Sequence, residues 1–115
     1  MTLSANDILN VKDTSTIEVE VSEWGGSVCV RELSVGDMEL YRSYAIKNAD
    51  TAQPNLIAYL AHLVLCDEHG NRLFDDLESV HELAKKSQSA MNKVIEKANE
   101  LNGFGDDAVE QEAKN

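Results

Sequence analysis

The sequence predicts an α+β fold that is mostly helical, with an N-terminal β-hairpin followed by about four helices. Two observations predict it. Residues 17–21 and 27–31 alternate apolar and polar side chains on either side of Gly25-Gly26, which is the period of half-buried strands joined by a turn. From residue 34 onward, apolar residues instead recur at helical spacing. Because a two-stranded hairpin is marginal in water, we expect it to pack on helices or on another subunit.

The chain length of 115 residues suits one hydrophobic core with tails. Residues 1–16 are expected to form an arm or short helix, since Ser4 and Asp7 are spaced to cap one. Residues 17–103 are expected to form the hairpin and helical domain. Residues 104–115 contain four acids, one base and little periodicity, which predicts a flexible acidic tail.

The hairpin and the first long helix come next along the chain. The covered face of the hairpin should hold Ile17, Val19, Val21, Val28 and Val30. Ser34, with Asp37 three residues on, predicts a helix over 35–49. The apolar stripe of that helix is formed by Met38, Tyr41, Tyr44 and Ala45.

Three further helices are predicted after a linker at 48–53. The first has Pro54 in its opening turn, continues through Leu65 and Cys66, and is apolar enough to lie at the centre of the core. After a turn at 67–71, Leu73 and Phe74 should return to the core. Asp75 or Asp76 then caps a helix that buries Leu77, Val80, Leu83 and Ala84. Ser87 or Ser89 begins the last helix, Gly103 ends it, and its buried face holds Met91, Val94, Ile95, Ala98 and Leu101.

The charge balance excludes several classes of partner. Ten Lys and Arg residues face 21 Asp and Glu residues, a formal net charge of −11. Phosphate backbones and anionic membranes would repel such a chain, so we expect neither nucleic acid nor a membrane as partner. The N-terminus carries no early base, so we expect no secretory signal. Cys29 and Cys66 are therefore expected to be free thiols rather than a disulfide.

The residues with catalytic or metal-binding chemistry form only weak patterns. His62, Cys66 and His69 have spacings that could hold zinc, but they match no named motif. His81-Glu82 begins an H-E-x-x-H pattern in which position 85 is Lys, so the metalloprotease interpretation fails. We therefore expect no enzyme and no catalytic, cofactor or metal site.

The remaining class of function is interaction with other proteins. Trp24 at the hairpin tip either folds back on the core or anchors a contact with another subunit. The wide apolar helix faces form either core or a groove for a partner helix. The candidate residues for partner binding or self-association are Trp24, Val28, Val30, Leu56, Leu60, Leu63, Val94 and Leu101.

Two stretches of the chain carry a family resemblance. Residues 18–34 read EVEVSEWGGSVCVRELS, and residues 63–74 read LVLCDEHGNRLF. Together with Asp7-Ile8-Leu9, they resemble the opening, the WGG hairpin and the D-E-x-G turn of tail assembly chaperones of long-tailed, siphovirus-type phages and prophages. Ser22 stands where that family often has proline.

The resemblance implies a non-enzymatic assembly factor in the host cell cytoplasm that is absent from the mature virion. Members of this family bind the long tape measure protein and keep it soluble until tail tube subunits assemble around it. The resemblance also implies a longer form, made by a programmed ribosomal frameshift, that recruits the tail tube protein. From the marginal hairpin and Trp24 we expect in addition that the chain forms a homo-oligomer. The alternative function is that of a virion structural protein, either a head–tail connector or a minor tail subunit.

The last three residues suggest where such a frameshift would occur. Ala113, Lys114 and Asn115 can be encoded by GCA AAA AAC, which contains the slippery heptamer A-AAA-AAC. We therefore expect this chain to be the short form, ending just after its slip site. Other codons encode the same residues, so the gene sequence decides this expectation.

Overall fold

The computed structural model describes residues 1–103. These residues form an α+β fold, mostly helical, with the strands near the N-terminus. The elements are α1 (Ala5–Asn10), β1 (Thr16–Val21), a 3₁₀ turn (Ser22–Trp24), β2 (Gly26–Arg31), α2 (Val35–Lys47), α3 (Leu56–Val64), β3 (Leu65–Cys66), α4 (Glu78–Leu83) and α5 (Gln88–Leu101). The predicted acidic tail, 104–115, lies outside the described residues.

The predicted hairpin is present. β1 and β2 pair antiparallel from Thr16 opposite Arg31 to Val21 opposite Gly26. Gly25 has φ of 78°, the left-handed conformation that ends the 3₁₀ turn and that glycine adopts without strain. The covered face is as predicted except at the open end, where Ile17 remains 38% exposed.

A third strand is present where the sequence predicts helix. α3 ends at Val64, and Leu65 and Cys66 instead pair antiparallel with Val30 and Cys29 of β2. The turn that follows stabilises the extended chain, because Leu73 N donates to Leu65 O (3.1 Å). The prediction of a helix through Cys66 is therefore wrong. The free edge of β2 supplies hydrogen bonds to this segment that a local sequence pattern cannot reveal.

The core is aliphatic and lies between the sheet and the helices. α5 packs across β1 and β2, α3 packs beside α5, and α4 packs on α3. The largest fully buried side chains are Leu63, Val21, Val30, Val64, Val80 and Val94. α3 is the central helix, as its apolar sequence predicts.

The helix boundaries follow local sequence signals closely. α2 begins after Ser34, whose hydroxyl accepts from Asp37 N while the Asp37 carboxylate accepts from Ser34 N. α2 ends at Lys47 rather than at residue 49. Ser87 caps α5, and Gly103, with φ of 76°, follows its end as predicted. Pro54 precedes α3 instead of lying in its first turn, because Asn55 adopts a left-handed conformation between them.

The segment between β3 and α5 is less buried than predicted. The N-cap position of α4 is occupied by Leu77, which has no side-chain cap, and neither Asp75 nor Asp76 takes it. Asp76, one residue earlier, nevertheless accepts from Ser79 N with its carboxylate (3.2 Å). However, Leu73, Leu77 and Ala84 are exposed, and Phe74 is only half-buried. α4 has six residues, fewer than two turns, so only Val80 and Leu83 face the core.

The Arg31 side chain connects three separate parts of the chain. Its Nε donates to Leu63 O near the end of α3 (2.8 Å), and its Nη2 forms an ion pair with Asp37 Oδ2 at the start of α2 (2.9 Å). Both side chains are mostly buried, at 19% and 10% exposed. The end of β2 is therefore fixed to the start of α2 and to the end of α3.

The two ends of the hairpin align with the two ends of α5. At the tip, Glu23 forms an ion pair with Lys93 (2.6 Å) and accepts from Ser89 Oγ (2.8 Å), near the start of α5. At the open end, Leu33 N donates to Asn102 Oδ1 (2.7 Å), just past the end of α5. The hydrogen bonds from Lys93 and Ser89 lower the pKa of Glu23 to about 2.

The arm, defined as residues 1–11, differs from the rest of the chain because none of its residues is buried. Its helix α1 nevertheless has a complete capping box between Ser4 and Asp7, as the sequence predicts. Its exposed large apolar side chains are Met1, Leu3, Ile8, Leu9 and Val11.

Replacing Asp37 by Asn should lower the free energy of unfolding by about 2 kcal/mol, because Arg31 then loses a mostly buried ion pair. Asp7→Asn is the matched control, since Asp7 occupies the same capping-box position in the exposed α1, and should cost less than about 0.5 kcal/mol. Urea denaturation at neutral pH measures both variants. Equal decreases in the free energy of unfolding for Asp37→Asn and Asp7→Asn would contradict the conclusion that the Arg31–Asp37 ion pair stabilises the fold beyond its capping contact.

Replacing Glu23 by Gln should make the stability of the fold less dependent on pH between pH 2 and 6. The folded pKa of about 2 lies below the usual 4.5, so this carboxylate stabilises the fold above pH 4.5 and loses its effect as the pH falls towards 2. Thermal unfolding between pH 2 and 6 should show a shallower decline for Glu23→Gln than for the wild type. Glu96→Gln, an exposed change on α5, is the control and should leave the slope unchanged.

Candidate functional site

An apolar groove lies where the start of α3, the end of α4 and the start of α5 meet. Its volume is about 510 Å³. Its lining residues are Pro54, Asn55, Leu56, Ile57, Ala58, Leu83, Ala84, Lys86, Gln88, Met91 and Asn92. We call this surface the groove.

Local backbone geometry opens the groove. The left-handed Asn55 turns the chain sharply into α3, so the first turn of that helix projects Ile57 outward, 58% exposed. Met91 on α5 is buried beneath. Lys86 lies in the short connection before α5 and places a positive charge among the apolar lining residues. The groove therefore suits aliphatic side chains with an acidic neighbour, as on an amphipathic helix.

A second opening, which we call the cleft, is polar. It has a volume of about 530 Å³ and lies between the residues just before β1, the end of β2 and the turn at 67–71. Its charged residues are the bases Lys12 and Arg31 and the acids Glu32 and Glu68. Because the charges balance and Arg31 already binds Asp37, the cleft shows no preference for a cation or an anion.

A buried histidine lies between α3 and α4. Ser79 Oγ donates its one proton to Asp76 O (2.7 Å), so its 2.7 Å contact with His62 must use the Nδ1–H of the ring as donor. Tyr59 stacks on the same ring, and Tyr44 stacks on Tyr59 with centroids 4.0 Å apart. Burial, and secondarily the charge of Arg72, lowers the pKa of His62. His62 is thus a neutral, structural residue.

The residues considered for zinc are not brought together. His62 bonds to Ser79, whereas His69 is exposed in the turn at 67–71. Burial raises the pKa of the Cys66 thiol, which disfavours the thiolate that zinc requires. Within residues 1–103, no three His, Cys, Asp or Glu side chains could hold a metal ion together. His81 and Glu82 are exposed on α4.

The structure divides the candidate interaction residues into three groups. Val30, Leu63 and Val94 are fully buried and belong to the core, so they offer no contact surface in this conformation. Leu56 lines the groove. The other four, Trp24, Val28, Leu60 and Leu101, are half-buried and pack against the core. Trp24 therefore folds back on its own chain, and its role in self-association remains a prediction.

The sequence analysis assigned Ile57, as part of the apolar run of α3, to the core, whereas the structure leaves it 58% exposed at the groove. One signal was available, since α3 has apolar residues on more than one face and a single buried stripe cannot contain them all. Lys86 gave no such signal, because its position at the groove depends on where α4 ends. No helix within residues 1–103 is long and apolar enough to cross a membrane.

The stability of the chain should fall as the pH drops below about 6.5. Because the pKa of His62 is lowered in the folded chain, the unfolded chain binds a proton at this histidine more readily than the folded chain does. The neutral ring therefore contributes its full stabilisation above pH 6.5, and the contribution decreases as the pH falls below that value. Between pH 7.5 and 5.5, the free energy of unfolding measured with urea should fall less for His62→Gln than for the wild type. The control His69→Gln, at a residue exposed in the turn, should show the same pH dependence as the wild type. If the free energy of unfolding of His62→Gln falls as much as that of the wild type, His62 is not the buried neutral group responsible for the pH dependence.

Comparison with known proteins shows a likeness in fold. No family model and no curated protein matches this chain. Among solved structures, the tail assembly chaperone of bacteriophage HK97 is similar, with a TM-score of 0.61 over 88% of this chain and 95% of that one. Sequence identity is 20%. At that identity the likeness establishes a shared fold, and this chain has the fold of a phage tail assembly chaperone.

Proposed function

We propose that this chain is a phage tail assembly chaperone that binds the tape measure protein and keeps it soluble while tail tube subunits assemble around it. The observation that carries the proposal is the fold shared with nearly the whole of the HK97 tail assembly chaperone. The sequence resemblance in the WGG hairpin and the D-E-x-G turn supports the same function independently of the backbone comparison.

The groove is the surface we assign to the client. A tape measure protein is long and largely helical, and its apolar stretches need cover before the tube encloses them. Ile57, Leu56 and the groove floor can receive aliphatic side chains of one such helix, and Lys86 can pair with an acidic residue beside them. A shallow contact of this kind is reversible, which a chaperone requires.

The charge of the chain supports the same role. A net charge of −11 keeps a coated, otherwise insoluble client in solution through mutual repulsion of the complexes. Each groove covers only a short stretch, so several copies along one long client would be needed. Binding of several linked copies gains affinity beyond that of a single contact.

The proposal extends to location and partners. The chain acts in the host cell cytoplasm as a homo-oligomer and is absent from the mature virion. A longer, frameshifted form brings the tail tube protein to the same complex. Neither catalysis nor a cofactor is required, and nucleic acid and membranes are not partners.

Co-expression with the tape measure protein from the same genome tests the proposal. The wild-type chain should move the tape measure protein into the soluble fraction and co-purify with it. Ile57→Asp places a carboxylate in the groove and should weaken that binding by about tenfold or more, because an apolar contact then has to bury a charge. Ile46→Asp, at a residue that is also exposed (77%, against 58% for Ile57) but lies on α2 outside the groove, is the matched control.

Two results would contradict the proposal. One is a tape measure protein that remains insoluble with the wild-type chain present. The other is detection of the chain in purified virions at a fixed copy number, which would favour a structural protein such as a head–tail connector or minor tail subunit. Equal loss of binding in Ile57→Asp and Ile46→Asp would reject the groove while leaving the chaperone role open to another surface.

A further inference from the structure

We infer that the arm of one copy of this chain docks in the groove of a second copy. The inference deepens the homo-oligomer of the proposed function and rests on it, because it assigns the contact between copies in the absence of any client. Its first support is the state of the arm itself. α1 is fully capped by Ser4 and Asp7, yet no residue of the arm is buried.

A six-residue helix that packs against nothing is only marginally stable in water, because the free-energy cost of nucleating a helix exceeds the stabilisation from its few hydrogen bonds. The arm sequence nevertheless has the pattern of a docking helix. Ala5, Ile8 and Leu9 share one face at i, i+3 and i+4. Leu3 and Ile8 have the spacing of a hydrophobic staple, which orders the entry into a helix. The arm is thus preorganised to present an apolar face, of which Leu9 is 80% exposed.

The groove complements this face in chemistry. It is apolar where the arm is apolar, and Lys86 at the groove can meet Asp7, the one acidic residue of the arm. Within the described residues, Lys86 forms no salt bridge. Asp7 is the one charged side chain of the arm, so repulsion from the negatively charged body opposes docking only weakly.

The arm and the groove lie at different ends of the same chain. Ser15 bonds to Glu32, and Lys12 lines the cleft, so the arm leaves the body beside Arg31, at the open end of the hairpin. Asn102, just past the end of α5, binds Leu33 at that same end, whereas Met91 of the groove lies near the start of α5, ~16 Å away along the helix. No residue of the arm is buried on its own chain, so its apolar face is free to meet another molecule.

The contact joins two different surfaces, so it can repeat from copy to copy or close by reciprocal exchange. It is also small, because an arm of 11 residues buries less surface than a stable dimer interface of about 1,200 Å² or more. We therefore expect weak, concentration-dependent self-association of the purified chain.

Complementation between two defective variants tests the inference with the full-length chain. The double variant Ile8→Asp, Leu9→Asp has a defective arm and an intact groove, whereas Ile57→Asp has an intact arm and a defective groove. Each alone should self-associate about tenfold more weakly than the wild type in sedimentation velocity. Mixed in equal amounts, with one variant carrying a dye, they should form a mixed complex, because each supplies what the other lacks. Ile46→Asp should self-associate like the wild type.

Direct binding of an arm peptide gives a second test that does not depend on the Ile8→Asp, Leu9→Asp or Ile57→Asp variants folding correctly. A dye-labelled synthetic peptide of residues 1–12 should bind the wild-type chain saturably in fluorescence anisotropy. It should bind Lys86→Glu, a groove variant that leaves the core untouched, about tenfold more weakly.

Three results would overturn the inference: a wild-type chain that is monomeric at all concentrations, a mixture of the two variants that remains monomeric, or a peptide that binds wild type and both groove variants equally. No tape measure protein is present in these experiments. A monomeric wild-type chain would therefore reject the homo-oligomer of the proposed function but not client binding, and failure of client solubilisation leaves the arm contact standing.

Discussion

The Arg31–Asp37 ion pair is the contact on which the arrangement of the other elements depends. Arg31 lies at the end of β2, Asp37 caps α2, and the same guanidinium binds Leu63 O near the end of α3. A mostly buried guanidinium needs an anion and acceptor oxygens in fixed positions, because leaving its charge unpaired is costly. The hairpin, the first long helix and the central helix are thereby held in one geometry by a single side chain.

The alignment of the hairpin with α5 determines which features lie at each end of the molecule. Glu23 at the hairpin tip is bound at the start of α5, and Leu33 beyond the open end is bound by Asn102 at its end. The arm leaves from the open end, whereas the groove lies at the start of α5. Exposed apolar surface is thus placed at opposite ends of the fold, and this separation follows from how one helix packs along one hairpin.

The sequence predicted the parts of the fold that local chemistry determines. Ser34 with Asp37, Ser87 and Gly103 mark helix ends through contacts within a few residues, and all of them are confirmed. Leu65 and Cys66 were misassigned because they continue an apolar helical run, and only the edge of β2, more than 30 residues away, makes them a strand. The groove was missed for the same reason, since the exposure of Ile57 depends on where α4 and α5 lie.

The distribution of polar groups is consistent with the docking function proposed for this chain. Within the described residues, every buried side-chain nitrogen or oxygen has a hydrogen-bond partner. His62, whose imidazole could act as a base, is committed to Ser79, and Cys66 lies in the sheet as a protonated thiol. Reactive groups satisfied in this way stabilise one packed arrangement. Among the apolar side chains left at the surface, burial of those in the arm and of Ile57 in the groove would still lower the free energy, and a second chain can supply that burial.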